Sequence, residues 1–539
     1  MTAVDYIVVG AGSAGCVLAG RLSEDPSTQV LLLEAGPRDR SLWIHLPIGY
    51  GKTMWSQKVN WRFYTDAEPN LNGRRIYWPR GKTLGGSSSI NGLIYIRGQR
   101  QDYDHWAALG NPGWSYDEVL PYFVRSEHNQ RGASAFHGAS GPLRVSDIAD
   151  RNPLIDAFIA GAQEVGVPRN DDFNGPQQEG AGYYQLNTHR GWRWSAAKAY
   201  LAPARKRVNL QVQTHAQATG LVMEGGRAVG VRYRQHGVDK TVRCRAEVLL
   251  AAGALQSPQL LQLSGIGPQG LLRDHGIAVL HHLDGVGENL QDHLQLRLTF
   301  ESTRPTTNDA LRSWAGRVGL GLQWLLRRAG PLAVGINQGG CFMRALPAAS
   351  AADAQTPDIQ FHVATLSADM AGGNVHPFSG FTLSVCQLRP ESRGRVRIRS
   401  PDPFEAPAIQ PNYLATETDR RTAVAAIKAA RSMASTRALR PFVKREVTPG
   451  VEVADDAALL DFCRNHGATI FHPSGTCRMG PDAQAGAVVD ARLRVHGVGG
   501  LRVVDGSVMP TLVSGNTHAP VVMVAEKAVD MIRQDARRG

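Results

Sequence analysis

Apolar positions change period several times along the chain, and each change predicts an element. Tyr6-Ile-Val-Val9 is a short run rich in β-branched residues that stops at a glycine, which predicts a buried strand. A helical stretch follows to about Ser23, and Val30 to Leu33 is a second unbroken apolar run. Residues 247–252 form a third, ending at Gly253. Unbroken runs of this kind suit a parallel sheet covered on both faces. By contrast, 209–214 and 228–233 alternate as strands of a small separate sheet, while 381–388 and 395–400 alternate as strands of an antiparallel sheet with one face over a pocket. Pro520 opens a long helical pattern through Val529, with proline at a favoured first-turn position. Residues 310–328 read as a basic amphipathic helix carrying Trp314 and Trp324. It is either an ordinary helix of a second domain or a face that lies on a membrane. Residues 38–80 lack a period and are rich in aromatics, as a lid-like excursion over a ligand or a packing surface between domains would be.

The first turn carries chemistry. Gly10, Gly12 and Gly15 form Gly-x-Gly-x-x-Gly between a strand and a helix. That spacing gives a tight turn, a close backbone approach to a pyrophosphate, and close helix–strand packing. The helix N-terminus supplies free N–H groups to the anion. Glu34, at the end of the second strand, is placed to accept from both hydroxyls of an adenosine ribose and would repel a 2′-phosphate. Strand, turn, helix, strand and acid in this order predict a dinucleotide site. FAD and NAD remain open on these residues.

Length and charge narrow the class. A chain of 539 residues exceeds one compact core, so two domains are expected. No apolar run reaches the length of a bilayer span. The first strand begins within a few residues of Met1, so a signal peptide is not expected. Six cysteines without framework spacing fit reduced thiols in a cytoplasmic protein. The net charge of +12 would favour anionic surfaces. The basic residues are dispersed and no nucleic-acid module is present, so no nucleic-acid partner is expected. The expected location is cytoplasmic, with the basic helix offering a weak contact to the inner face of the membrane.

Further motifs carry a resemblance. Gly81-Lys-Thr-Leu-Gly85-Gly-Ser-Ser-Ser-Ile90-Asn91-Gly, Gly253-Ala-Leu-Gln-Ser-Pro258 with Leu263-Ser-Gly-Ile-Gly267-Pro, and Gly285-Val-Gly-Glu-Asn-Leu-Gln-Asp292-His293 occur in that order. Arg389-Pro-Glu-Ser-Arg-Gly394, His472-Pro-Ser-Gly-Thr-Cys-Arg-Met-Gly480, Asp505-Gly-Ser-Val-Met-Pro510 and Ser514-Gly-Asn516-Thr-His-Ala-Pro520 follow. Together they resemble the glucose–methanol–choline (GMC) family of FAD-dependent oxidoreductases over essentially the whole chain, and most of all its bacterial alcohol and choline dehydrogenases.

The resemblance implies an α/β fold, α+β overall: a Rossmann-type FAD-binding domain, and a substrate domain built on an antiparallel sheet covered by helices. The FAD domain would be discontinuous, from 1–152, 200–292 and 465–539, with 153–199 and 293–464 forming the substrate domain. Implied FAD contacts are Gly10, Gly12, Ser13, Ala14, Gly15, Glu34 and Ala35. Gly85, Ser87, Asn91 and Gly92 follow in the serine-rich loop, Ala218 through its backbone at the adenine, and then Asp505, Gly506, Asn516 and Thr517. Ile90 stands where some relatives attach flavin through a histidine, so FAD is expected to be noncovalent.

The implied chemistry is oxidation of a primary alcohol, with His472 as base and Asn516 steadying the alkoxide. An amide can donate to that oxygen but cannot act as base. His518 is the rival histidine, expected to be structural or one step removed. Electrons would pass to a quinone or another non-NAD acceptor, since the single Gly-x-Gly-x-x-Gly unit is taken by FAD. The alternatives are an oxidase that makes hydrogen peroxide, a lyase or a decarboxylase. Cys463-x-x-His466 and His472 with Cys477 could pass for metal ligands. Because His472 and Cys477 sit inside the flavoenzyme signature, no metal is expected.

Overall fold

The computed structural model describes residues 4–348, 356–369 and 372–537. Among the described residues, two seven-stranded sheets carry the fold. In the first, Val4–Val9 lies between Val30–Leu33 and Val238–Leu250, all parallel, and Leu501–Val503 pairs with Val238–Leu250. These strands are buried on both faces, as their unbroken apolar runs require. The helix Ser13–Leu22 packs against the C-terminal helix His518–Ala536. Gly15 lets the same helix lie close on the first strand: a Cβ there would fall 1.8 Å from the carbonyl oxygen of Gly10. Leu210–Gln213 does not join a small separate sheet as its alternation suggested. It extends the parallel sheet beside Val30–Leu33. The small sheet is instead a meander of Ala216–Glu224, Arg227–Gln235 and the first half of Val238–Leu250.

The second sheet runs Val443–Thr448, Leu294–Ser302, Gly380–Gln387, Ile359–Ala364, Asn337–Met343 and Gly180–Tyr183, with antiparallel neighbours. Its strands alternate strictly. Leu296, Leu298, Phe300, Phe361, Val363, Phe381, Leu383 and Val385 join one core with residues of the helices Pro153–Glu164 and Glu417–Ser435. Each such side chain contributes about 1.5–3 kcal/mol by burial, and a one-residue slip would turn the whole set outward. The opposite face carries Gln295, Arg297, Thr299, His362, Thr382 and Ser384. Arg395–Arg397 is not part of this sheet; it pairs with Ala408–Gln410 as a separate hairpin. Ala468–Thr469 pairs with Leu294 and Gln295, so the chain leaves the second sheet later than residue 464.

Residues 38–80 fold into short turns and the hairpin Phe63–Tyr64 with Tyr77–Trp78. Among the described residues no helix is long and apolar enough to cross a membrane. The helix Trp314–Arg327 is amphipathic, but its two tryptophans part company. Trp314 is 80% exposed, whereas Trp324 is 9% exposed and packs edge-on against Trp192. Cys463 and Cys477 are buried in different cores, which separates the two halves of the metal-like motif.

Candidate active site

A continuous cavity of about 870 Å³ runs from the first turn to the polar face of the second sheet. Gly10, Gly12, Ser13, Ala14, Glu34, Ala35 and Ala218 line one end. Ser87, Asn91, Gly92, Asp505, Gly506 and Thr517 line the middle, and His472 and Asn516 face the far chamber. Trp43, Tyr50 and Trp61 of the irregular segment close over it. Gly15 and Gly85, also expected at the cofactor, do not reach this surface. Gly15 packs helix on strand, and Gly85 donates its N–H to Ala11 O at 2.8 Å, anchoring the serine-rich loop behind the wall.

Glu34 is held by the backbone. Its Oε2 accepts from the Ala11 N–H at 2.9 Å and its Oε1 from the Gly36 N–H at 2.8 Å. Burial pushes its carboxyl up to about 7 against the pull of those donors, so two ligand hydroxyls donating to it would stabilise the charged form. Asp505 lines the cavity but acts as a clamp: Oδ2 accepts from the Gly253 N–H and the Ser257 hydroxyl, and Oδ1 from the Ser507 N–H.

The lining suits a long planar dinucleotide. A Cβ on Gly92 or Gly253 would meet nothing within 4 Å, leaving flat wall where a ring can lie. The helix His518–Ala536 presents its N-terminus to the middle of the cavity. A positive helix end there would stabilise negative charge on a reduced flavin. His518 Nδ1 bonds the Ser13 hydroxyl at 2.9 Å, while its buried Nε2 has no partner among the described residues.

The far chamber contains a chain of bonds the sequence did not reveal. His293 Nε2 lies 2.9 Å from Leu388 O, an atom that can only accept, so this nitrogen carries the hydrogen. Burial pushes the His293 imidazole down to about 4, which keeps it neutral and leaves Nδ1 a lone pair. His472 Nδ1 lies 3.0 Å from that lone pair and must donate to it. His472 Nε2 is thereby left unprotonated, facing the cavity and accepting from Asn516 Nδ2 at 3.3 Å. Burial and the neighbouring imidazoles of His293 and His362 hold His472 well below the usual imidazole range. Asn516 is oriented in turn by Gln360, whose Nε2 donates to Asn516 Oδ1 at 3.3 Å.

The loop under His472 is fixed with equal care. Asp292 accepts from the His472 backbone N–H at 2.7 Å and from the hydroxyls of Tyr413 and Thr469. Phe471, at φ 73, occupies the left-handed region, a conformation costing about 1–3 kcal/mol for a bulky residue. Its carbonyl accepts from Arg80 Nη2 at 2.9 Å and its N–H donates to Thr469 Oγ1 at 2.7 Å. Asp292, His293 and Gln360 are therefore positioning residues to which the sequence reading assigned no role. The available signals were the Asp292-His293 pair within a motif and polar residues alternating along the apolar strand Ile359–Ala364.

The N- and C-terminal models of the GMC oxidoreductase family match residues 4–295 and 390–525. The chain belongs to this family. This GMC oxidoreductase is 43% identical over 532 residues to the alcohol dehydrogenase [acceptor] of Pseudomonas putida, covering 98% of this chain and 95% of the relative. It is 43% identical over 535 residues to the mitochondrial choline dehydrogenase of Homo sapiens, covering 98% and 89%. Pyridoxine 4-oxidase from Mesorbium loti superposes with a TM-score of 0.88 at 32% identity, over 99% of both chains. The protein is an FAD-dependent oxidoreductase, and the cavity is the place its residues provide for that cofactor.

Proposed function

We propose that this GMC oxidoreductase oxidises a primary alcohol to an aldehyde and passes the electrons to a quinone or another non-NAD acceptor. The observation that carries the reading is the His472–Asn516 pair, with a basic lone pair and an amide donor side by side at 3.3 Å on the cavity wall. His472 Nε2 takes the hydroxyl proton, and the resulting imidazolium keeps its Nδ1–H bond to His293. Asn516 Nδ2 donates to the substrate oxygen as negative charge grows on it. FAD, when bound, supplies the acceptor for the carbon-bound hydride. Trp43, Tyr50 and Trp61 roof the chamber and limit the access of bulk water to the proton transfer.

A quinone acceptor and a peripheral membrane contact belong to the same proposal. The helix Trp314–Arg327 exposes Trp314, Leu322, Leu325 and Leu326, while Leu320 and Arg317 reach the cavity lining. An apolar face flanked by arginines beside the entrance suits a lipid surface.

The test is anaerobic flavin reduction by a panel of primary alcohols, in wild type and His472→Ala, followed by mixing with air-saturated buffer or a soluble quinone. Reduction about 10²- to 10⁴-fold slower in the variant is expected, with FAD retained and quinone outpacing oxygen. Equal reduction rates in both proteins would remove His472 from the role of base. Reoxidation by oxygen at turnover rate, with stoichiometric hydrogen peroxide, would make the enzyme an oxidase.

A further inference from the structure

The far chamber carries a charge that the proposed chemistry does not use. Arg297 sits on Leu294–Ser302 with its side chain on the cavity face. Its Nε donates to Gln295 Oε1 at 3.2 Å, and among the described residues it forms no ion pair and its terminal nitrogens meet no acceptor. Such a half-buried guanidinium is costly unless a ligand supplies the missing anion. The register places Arg297 opposite Ser384, and Ser384 opposite His362, so the three share one row of the pocket wall. His362 is fully buried, and among the described residues neither ring nitrogen has a partner at hydrogen-bonding geometry, although the Asn516 amide is near enough to act on its titration. Burial pushes this imidazole down to about 3, so it is neutral and offers one N–H. Lys52 and Arg317, both exposed and without an ion-pair partner among the described residues, extend the positive charge along the cavity lining.

No carboxylate balances this set. Among the described residues the cavity lining holds two acidic side chains, Glu34 and Asp505, and both are engaged with backbone N–H groups away from the second sheet. A quaternary ammonium would find the Tyr50 ring but no anion, and at Trp61 the Lys82 ammonium already lies 4.1 Å from the ring centroid. It would also meet Arg297, which has no ion-pair partner among the described residues. A carboxylate would find a planar guanidinium fork with an imidazole and a hydroxyl in the same row.

We propose that the alcohol taken by this site bears a carboxylate, which Arg297 binds with help from Ser384 and His362. This inference rests on the alcohol-oxidation reading of the same chamber. Arg297 and His472 line the same chamber from different chain segments, so a linear substrate that engages both carries its carboxylate and its carbinol at opposite ends, as in an ω-hydroxyalkanoate.

The experiment compares three alcohols of one length with the FAD-loaded enzyme under anaerobic conditions: ω-hydroxyhexanoate, hexanol and ω-hydroxyhexyl-trimethylammonium. Hexanoate, which cannot be oxidised, is titrated separately against the flavin spectrum. The hydroxycarboxylate is expected to exceed hexanol in the second-order rate of flavin reduction by about 10- to 100-fold, the range for a bond to a charged group, and the ammonium to be slowest. Arg297→Met, checked for full flavin content, should erase the preference and weaken hexanoate binding by the same factor. Arg297→Lys should retain the order. An ammonium preferred by the wild type, or an order and hexanoate affinity unchanged in Arg297→Met, overturns the proposal. If hexanoate binds through Arg297 but none of the alcohols reduces the flavin, the anion site stands and the oxidation reading fails. If hexanol reduces the flavin through His472 while hexanoate does not bind, the oxidation reading stands and the anion site fails.

Discussion

Replacing His293 by leucine removes an acceptor that touches neither substrate nor cofactor, yet it should slow flavin reduction. In the wild type the His472 Nδ1–H donates to His293 Nδ1 at 3.0 Å, which keeps Nε2 free. Leucine leaves that N–H buried without a partner if the base-competent tautomer persists, at a cost of about 1–3 kcal/mol. The other tautomer carries its hydrogen on Nε2, facing the cavity, and escapes the penalty. At about 1.36 kcal/mol per tenfold, the competent fraction and the reduction rate fall about 5- to 150-fold. Anaerobic stopped-flow at saturating substrate measures this directly. In a His472→Ala background the same change should cost almost nothing, because the effect acts only through His472. His293→Gln, which keeps a donor for Leu388 O and an acceptor for His472, should recover most of the rate. An equal slowing by His293→Leu with and without His472, or no recovery in His293→Gln, would refute the tautomer argument and leave His293 a packing residue.

Other predictions follow from neighbouring contacts. His518→Ala should raise the FAD dissociation constant through loss of the Ser13 contact while slowing reduction far less than His472→Ala, as flavin retention on gel filtration and stopped-flow would show. FAD should leave with the supernatant on acid precipitation, since Ile90 offers no nucleophile; yellow pelleted protein would refute this. His137 is pulled down by burial, but hydrogen bonds to Asp172 and Glu127 outweigh that and raise it to about 9. Its folded value lies above the unfolded value of about 6.5. The stability it contributes is therefore complete below about pH 6.5 and drains away as pH rises through 9. Urea midpoints at both ends of that window should converge for His137→Gln; an unchanged pH dependence would remove His137 as the cause.

The first turn was legible because its signals are local: strand, glycines, helix and acid follow one another within a single run of sequence. The sheet that walls the far chamber was half legible. The alternation of 381–388 marks a two-faced strand, but nothing local separates it from 395–400, whose partner is 408–410. Leu210–Gln213 misled in the same way, because at the margin of the parallel sheet one face of the strand is left partly uncovered and the sequence alternates there. His472 and Asn516 were reached through resemblance. The bond from His472 to His293 spans 179 positions and depends on two chain segments meeting, which no spacing rule encodes. Trp324 looked like its neighbour Trp314 in the helical pattern, and only the presence of Trp192 behind it decides which is covered.

The strict alternation of Leu294–Ser302, Ile359–Ala364 and Gly380–Gln387 has a consequence for how such a protein can change. On the first of these strands Leu296, Leu298 and Phe300 hold the core, while Gln295 and Arg297 between them line the cavity. Substitutions at Gln295, Arg297 or Ser384 act on the cavity wall, and although Gln295 and Ser384 are buried they leave the aliphatic core behind the sheet intact. Selection, natural or in the laboratory, can retune what enters the chamber without first accumulating spare stability. The aliphatic positions between them are closed to that route, so variation in substrate preference should be written at every second residue.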